Sequence, residues 1–483
     1  MMGPFRSFPY HFPKIVAELD SQEDFMSASA EFAPFAARMQ AEGLPEIVIR
    51  TFAHYYEQLA AGAKGLIPES EIRPVESLPD AESLPADLAD VGRAELSHTV
   101  LLKLNGGLGT SMGLARAKSL LPVKEGMTFL DIIARQAMDS GIPLVLMDSY
   151  NTRDDSLAKL AGYPALKSDI PLDFLQHKVP KITQQGLGPA MWEADPDLAW
   201  CPPGHGDIYT ALVTSGMLAI LLDKGFKYAF VSNADNLGAV VDPTILGYFA
   251  REKLPFMMEV ADRTEADKKG GHLAQTAEGQ LILRESAQCP PEDEATFQDI
   301  ARHRFFNTNN LWINLPALHE TLVAREGILG LPMICNAKTV DPRNKQSTPV
   351  FQLETAMGSA IAVFPGAGAI RIDKSRFAPI KKTNDLLDVR SDNYILTDDF
   401  RVVANPARRL PRAYIDLDPA YFQFVDDFEA RFPQGVPSLL ECERCVVRGD
   451  FKFGKGVVLK GRVELVNETG DQITIADGEV IAG

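Results

Sequence analysis

No stretch of this 483-residue chain strings together the roughly 18 apolar side chains that a membrane-crossing helix requires. Met1–Pro9 likewise has no apolar core long enough for a secretion signal, so the expected location is cytoplasmic. Positive charge is short as well. The balance of 48 basic against 65 acidic side chains, a net charge of -17, argues against a general nucleic-acid or anionic-membrane surface. A phosphorylated substrate must therefore be met by a local cluster of lysines. Cysteine is scarce, with five in the chain. Only Cys442 and Cys445 are close, and no second pair or nearby histidines complete a zinc site, which leaves packing as their role. Two glycine signatures are missing too. Gly107, Gly109 and Gly113 are spaced one residue too long for the dinucleotide fingerprint, and no Gly-Lys-Ser/Thr closes a P-loop.

What is present is the composition of a folded protein, 46% hydrophobic and 23% charged, in a chain long enough for two or three domains. Residues 1–95 read as a helical accessory region: Phe32, Phe35, Ala36 and Met39 fall at helical spacing, as do Phe52, Tyr55, Tyr56 and Leu59. A Pro- and acid-rich connector runs from Pro68 to Asp90. Strands and helices alternate over 96–395. Thr99–Leu104 predicts a buried strand, Thr128 the cap of a helix from Phe129 that Gly141 ends, Pro143–Met147 the next strand, Ala211–Leu222 a helix, and Tyr228–Ser232 a third strand. That order implies an α/β domain with parallel strands covered on both faces and ligands at their carboxyl ends. Residues 396–445 form a joint. In 446–483, Val447, Phe453, Leu459 and Leu465 recur every six residues, as do Phe451, Val457 and Val463, the period of a parallel β-helix.

Five segments carry chemistry. Four glycines within Gly106–Gly113 follow the first strand directly, and Lys118 stands five residues further on. Such a loop lets backbone N–H groups approach a phosphate unhindered, or it is a strand-to-helix turn without a ligand. Asn233, Asp235 and Asn236 end a buried strand. A carboxylate there suits Mg²⁺ shared with substrate phosphates, and the same residues suit a side-chain-bonded turn. His205 lies between glycines in Cys201–Asp207, and Asn307, Asn309 and Asn310 offer amides suited to sugar hydroxyls. Lys381 and Lys382 follow Pro379, as an inward-aimed lysine or as solvated surface.

These segments, with Pro143–Thr152, Glu259–Gly271 and Gln352–Ala356, occur in the order found in the UTP–glucose-1-phosphate uridylyltransferases, the UDP-glucose pyrophosphorylases of the eukaryotic type, which the chain resembles from about Leu101 to its end. Leu114–Ala117 stands where many members have Gly-Pro before the lysine. Ser111 after Thr110, rather than arginine, favours the glucose branch over the N-acetylhexosamine one. The resemblance implies a Rossmann-like, GT-A-like mixed sheet flanked by helices and a C-terminal left-handed parallel β-helix, which offers a route to a homo-oligomer. It implies UTP and glucose 1-phosphate as substrates and Mg²⁺ as cofactor. It carries over nucleotide contacts at Leu104, Asn105, Gly106, Gly107, Gln176 and Gly204, and catalytic phosphate contacts at Lys118 and Lys381. Asp235 would hold the metal, and His205, Asn233, Asn309 and Lys269 the sugar phosphate. Two alternatives stand beside this: another sugar 1-phosphate such as that of galactose or N-acetylglucosamine, and a UDP-sugar-binding regulatory protein without turnover.

Overall fold

A computed structural model describes residues 30–166 and 168–483. Expectations for residues 1–29, including the Met1–Pro9 reading, lie outside the described residues.

The centre is a ten-stranded mixed sheet. Asp173–Leu175, Leu144–Asp148, Thr99–Leu104 and Tyr228–Asn233 lie side by side and parallel. Phe305–Asn314 then runs antiparallel to Tyr228–Asn233 and leads to Phe256–Asp262 and His272–Gln275. Burial on both faces explains the apolar strand sequences. Leu101, Leu144, Leu146 and Phe230 point into one core, under the helix Phe129–Ser140. Val100, Leu102, Val145, Ala229 and Val231 point into the other, under Ile208–Thr214 and Met217–Asp223. The alternation is the period of two that a strand imposes on its side chains.

Local chemistry sets the ends of these elements. Thr128 caps Phe129–Ser140 in a capping box with Asp131, and Gly141 closes it at φ 67°. The single helix expected over Ala211–Leu222 is two helices instead, meeting at 66°. Gly216 is left-handed at φ 74° and donates its N–H to the Val213 carbonyl, which stops the first helix and caps the second. Their buried faces belong to the sheet core, and among the described residues no single helix is long and apolar enough to cross a membrane.

Ala33–Ala41 and Glu46–Ala60 are the helices expected from the aromatic spacing, with Phe32, Phe35, Phe52 and Tyr56 buried together. They pack on the three-stranded sheet that contains Pro349–Thr355. At the C-terminus, Tyr414–Leu417, Ser438–Arg448, Val458–Val466 and Val480–Ala482 stack as parallel strands. Cys445 pairs with Val463 and Val447 with Leu465. That offset of 18 residues is three hexads, so the hexad positions come into register, and Val447, Phe453, Leu459 and Val463 are buried. Cys442 and Cys445 are free thiols in the same core, and burial pushes Cys445 up to about 12.

Candidate active site

Three parallel strands deliver Leu104, Asp148 and Asn233 to one edge of the sheet. The chain leaving Leu104 turns back on itself. The backbone N–H of Lys118 donates to the Gly107 carbonyl at 3.0 Å, and Gly109 takes φ 68° to make the turn. The lysine is thereby brought back under the glycines. No α-helix follows this loop before Phe129; the turns Thr110–Met112 and Lys118–Leu120 intervene, so it is not a strand-to-helix turn.

The loop is anchored from behind. Asn105 is buried and spends its amide on Asp148 Oδ1 at 2.7 Å and Ser156 Oγ at 2.8 Å, while Ser149 Oγ donates to the Gly106 carbonyl at 3.0 Å. Burial pushes the Asp148 carboxyl up to about 6, against the pull of the Asn105 amide. Its Oδ2 has no partner.

In front of the loop lies a cleft of about 330 Å³. It brings together Leu104, Asn105, Gly106, Gly107, Lys118, Gln176, Gly204, His205, Asn233 and Asp235. Lys118 Nζ donates to Asp235 Oδ2 at 2.6 Å. The Gln176 side chain lies 2.9 Å from where a Cβ on Gly106 would stand, and the backbone N–H of Gln176 donates to the Asp148 carbonyl. Gly204 has φ 82°, and a Cβ there would come within 2.4 Å of the Thr355 carbonyl oxygen. The next residue, His205, accepts the Met357 N–H on Nδ1 at 2.9 Å. Burial pushes this imidazole down to about 4, so it is neutral and carries its proton on Nε2, a donor for an anionic ligand.

Three expected residues stand outside this cleft. Asn309 takes φ 59° on Phe305–Asn314 and bonds with Asn307 in both directions. Since Val231 pairs with Leu311, it sits near the level of Asn233. Lys381 is exposed, with its ammonium 5.9 Å from the Phe377 ring. Its neighbour Ile380 donates to the Asp235 carbonyl at 3.3 Å, so backbone places Lys381 beside the cleft while the side chain turns away. Lys269 is exposed on the turn before His272–Gln275.

The sequence reading assigned no role to Lys103, Glu259 or Arg376. Lys103 Nζ bonds Ser232 Oγ at 2.6 Å and the Ala239 carbonyl at 2.9 Å, clasping both stems of the loop that carries Asp235. Burial, helped by Arg376 and opposed by Glu259 and Asp235, brings its ammonium down to about 7. Glu259 is fully buried and takes a two-pronged ion pair from Arg376, at 2.7 and 3.0 Å. The available signal was a charge flanked on both sides by apolar residues, Lys103 within Thr99–Leu104 and Glu259 within Phe256–Asp262, since such a charge is tolerated only when paired.

The fold and cleft define an α/β protein with a glycine-floored cleft, carrying one lysine and one carboxylate, at the carboxyl ends of parallel strands, the place where such sheets bind nucleotides. The family model for UTP–glucose-1-phosphate uridylyltransferase matches residues 49–460. A UTP–glucose-1-phosphate uridylyltransferase of Solanum tuberosum is 42% identical over 395 residues, 80% of this chain and 80% of its own. A mutant UDP-glucose pyrophosphorylase of Leishmania major, solved in complex with UDP-glucose, superposes with a TM-score of 0.87 at 46% identity, over 94% of this chain and 99% of its own. A UDP-glucose phosphorylase of Trypanosoma brucei has a TM-score of 0.82 at 44% identity, over 94% of this chain and 100% of its own. The chain belongs to the UTP–glucose-1-phosphate uridylyltransferase family.

Proposed function

We propose that this chain joins UTP and glucose 1-phosphate, forming UDP-glucose and pyrophosphate. The observation that carries the reading is the pairing of Lys118 with Asp235 in a cleft floored by glycine backbone, within a chain that matches the family over most of its length.

In this reading a phosphate oxygen of glucose 1-phosphate attacks the α-phosphorus of UTP. The new P–O bond forms as the bond to the β-phosphate oxygen breaks, and pyrophosphate leaves with the electron pair. No protein nucleophile is needed. The chain's task is to hold two anions in line, which can supply on the order of 7–11 kcal/mol in favourable geometries. Leu104–Gly107 lie along the nucleotide, Gln176 and Gly204 bound the base, and Lys118 meets the triphosphate. His205 donates from Nε2 to the sugar phosphate, and Asn233 and Asn309 offer amides to the sugar. Lys381 swings from Phe377 to the reacting phosphates, where one preorganised charge contributes about 3 kcal/mol. Lys269 is a more distant phosphate contact.

Among the described residues no three His, Cys, Asp or Glu side chains gather as a metal cage. The donor set instead fits a cation held by one carboxylate, Asp235, and by substrate phosphates, the arrangement Mg²⁺ favours. The ammonium of Lys118 against that carboxylate marks it as a place for positive charge. Mg²⁺ bound there would neutralise charge developing on the α-phosphate and the leaving group. As the nucleotide arrives, Lys118 moves from Asp235 to phosphate oxygens.

We read 96–395 as the catalytic unit, 1–95 as accessory helices, and 446–483 as a short left-handed parallel β-helix whose first strands reach back into the 396–445 joint. An exposed end coil of that stack would pair subunits in a homo-oligomer, and the location is cytoplasmic. Exchanging Asp235 for asparagine tests the site. Asp235→Asn should abolish Mg²⁺-dependent turnover while circular dichroism and the melting temperature stay near those of the parent. Unfolding of that variant would make Asp235 a structural turn residue instead.

A further inference from the structure

The loop Asn233–Gly238 and the segment Arg376–Lys381 are 140 residues apart in sequence but fastened along their length. Asn236 Nδ2 donates to the Arg376 carbonyl at 3.1 Å, and its Oδ1 accepts the Ala378 N–H at 3.0 Å. Asn236 and Pro379 form an antiparallel bridge, and Ile380 donates to the Asp235 carbonyl. Gly238 permits the approach, since a Cβ there would lie 2.4 Å from the Ser375 carbonyl oxygen.

Behind this seam sits one buried carboxylate. Glu259 Oε1 accepts from Arg376 Nη2 at 2.7 Å and Trp312 Nε1 at 3.0 Å; Oε2 accepts from Arg376 Nε and Asn310 Nδ2, both at 3.0 Å. Arg376 Nη2 also donates to the Val240 carbonyl at 2.9 Å, just past the Asp235 loop. A planar guanidinium can hold a carboxylate on two prongs and a carbonyl together; an ammonium cannot.

We propose that Arg376 and Glu259 are positioning residues that lock the backbone of the Lys381 segment to the Asp235 loop, so that the catalytic lysine swings to the reacting phosphates from a fixed anchor beside the metal-site carboxylate. This rests on the roles given above to Lys381 and Asp235. Neither Arg376 nor Glu259 lines the cleft, so both act through the backbone they hold.

The test is a double-mutant cycle on turnover, with melting temperatures measured alongside. Lys381→Ala alone should lower kcat about a hundredfold. Arg376→Lys should lower kcat by about tenfold or more in the parent, but less than about twofold in the Lys381→Ala background, because with no ammonium to aim the lock has nothing to do. An equal fall in both backgrounds overturns the inference and leaves the pair a fold-stabilising contact. Near-parental turnover of Lys381→Ala removes Lys381 from the reaction and takes the inference with it. Should Arg376→Lys fail to fold, Asn236→Ser opens the same seam without unpairing a buried charge, and the same two outcomes decide.

Discussion

His205 and Asp148 show how burial sets protonation around the cleft. A depressed histidine is a fixed neutral donor across the pH range in which an unperturbed one would titrate. Asp148 is shifted the other way, from 3.8 to about 6. Its native form holds the proton more tightly than the unfolded chain does. Its stabilising contribution is therefore complete below about pH 4 and is lost as pH rises through about 6, a change of about 3 kcal/mol. Urea denaturation of the parent and of Asp148→Asn should show the parent losing stability relative to the variant between about pH 4 and 7. A constant difference across that range would mean that Asp148 ionises freely.

At the scale of elements, the glycine loop separates glycines the fold requires from those the ligand requires. A Cβ on Gly204 would collide with the Thr355 carbonyl at an unfavourable φ, so Gly204→Ala should cost about 2 kcal/mol or more of stability and displace His205. A Cβ on Gly107 meets nothing within 4 Å, and its φ is not positive. Gly107→Ala should melt with the parent yet bind UTP about tenfold or more weakly in calorimetry. Unchanged affinity would place the nucleotide elsewhere. The strands, the Phe129–Ser140 helix and the N-terminal helices were legible because their apolar spacing and caps are local signals. Gly216 broke an expected helix because one left-handed glycine outweighs continuous apolar periodicity. Ten of the expected site residues share one cleft because they lie on loops at strand ends. Glu259 and Arg376 went unassigned because their partnership spans 117 residues and exists only once two strands and a loop have met.

Across the whole molecule, one apolar cluster runs from Leu101 in the sheet and Phe129 in the helix over it to Val447 and Leu459 in the C-terminal stack. The glycine loop touches the 396–445 segment, since a Cβ on Gly113 would lie 2.9 Å from the Phe424 ring. The helices Ala33–Ala41 and Glu46–Ala60 reach the other wall through Pro349–Thr355, which backs Gly204. With a net charge of -17, binding of anionic substrates rests on Lys118 in the cleft and on the loop N–H groups beside it. The most direct measurement is pyrophosphate release from UTP and Mg²⁺ with glucose, galactose, N-acetylglucosamine and mannose 1-phosphates in turn. Release mainly with glucose 1-phosphate is the predicted result. Preference for another sugar would contradict the substrate assignment, and no release with any sugar despite binding of UDP-glucose would contradict catalysis itself.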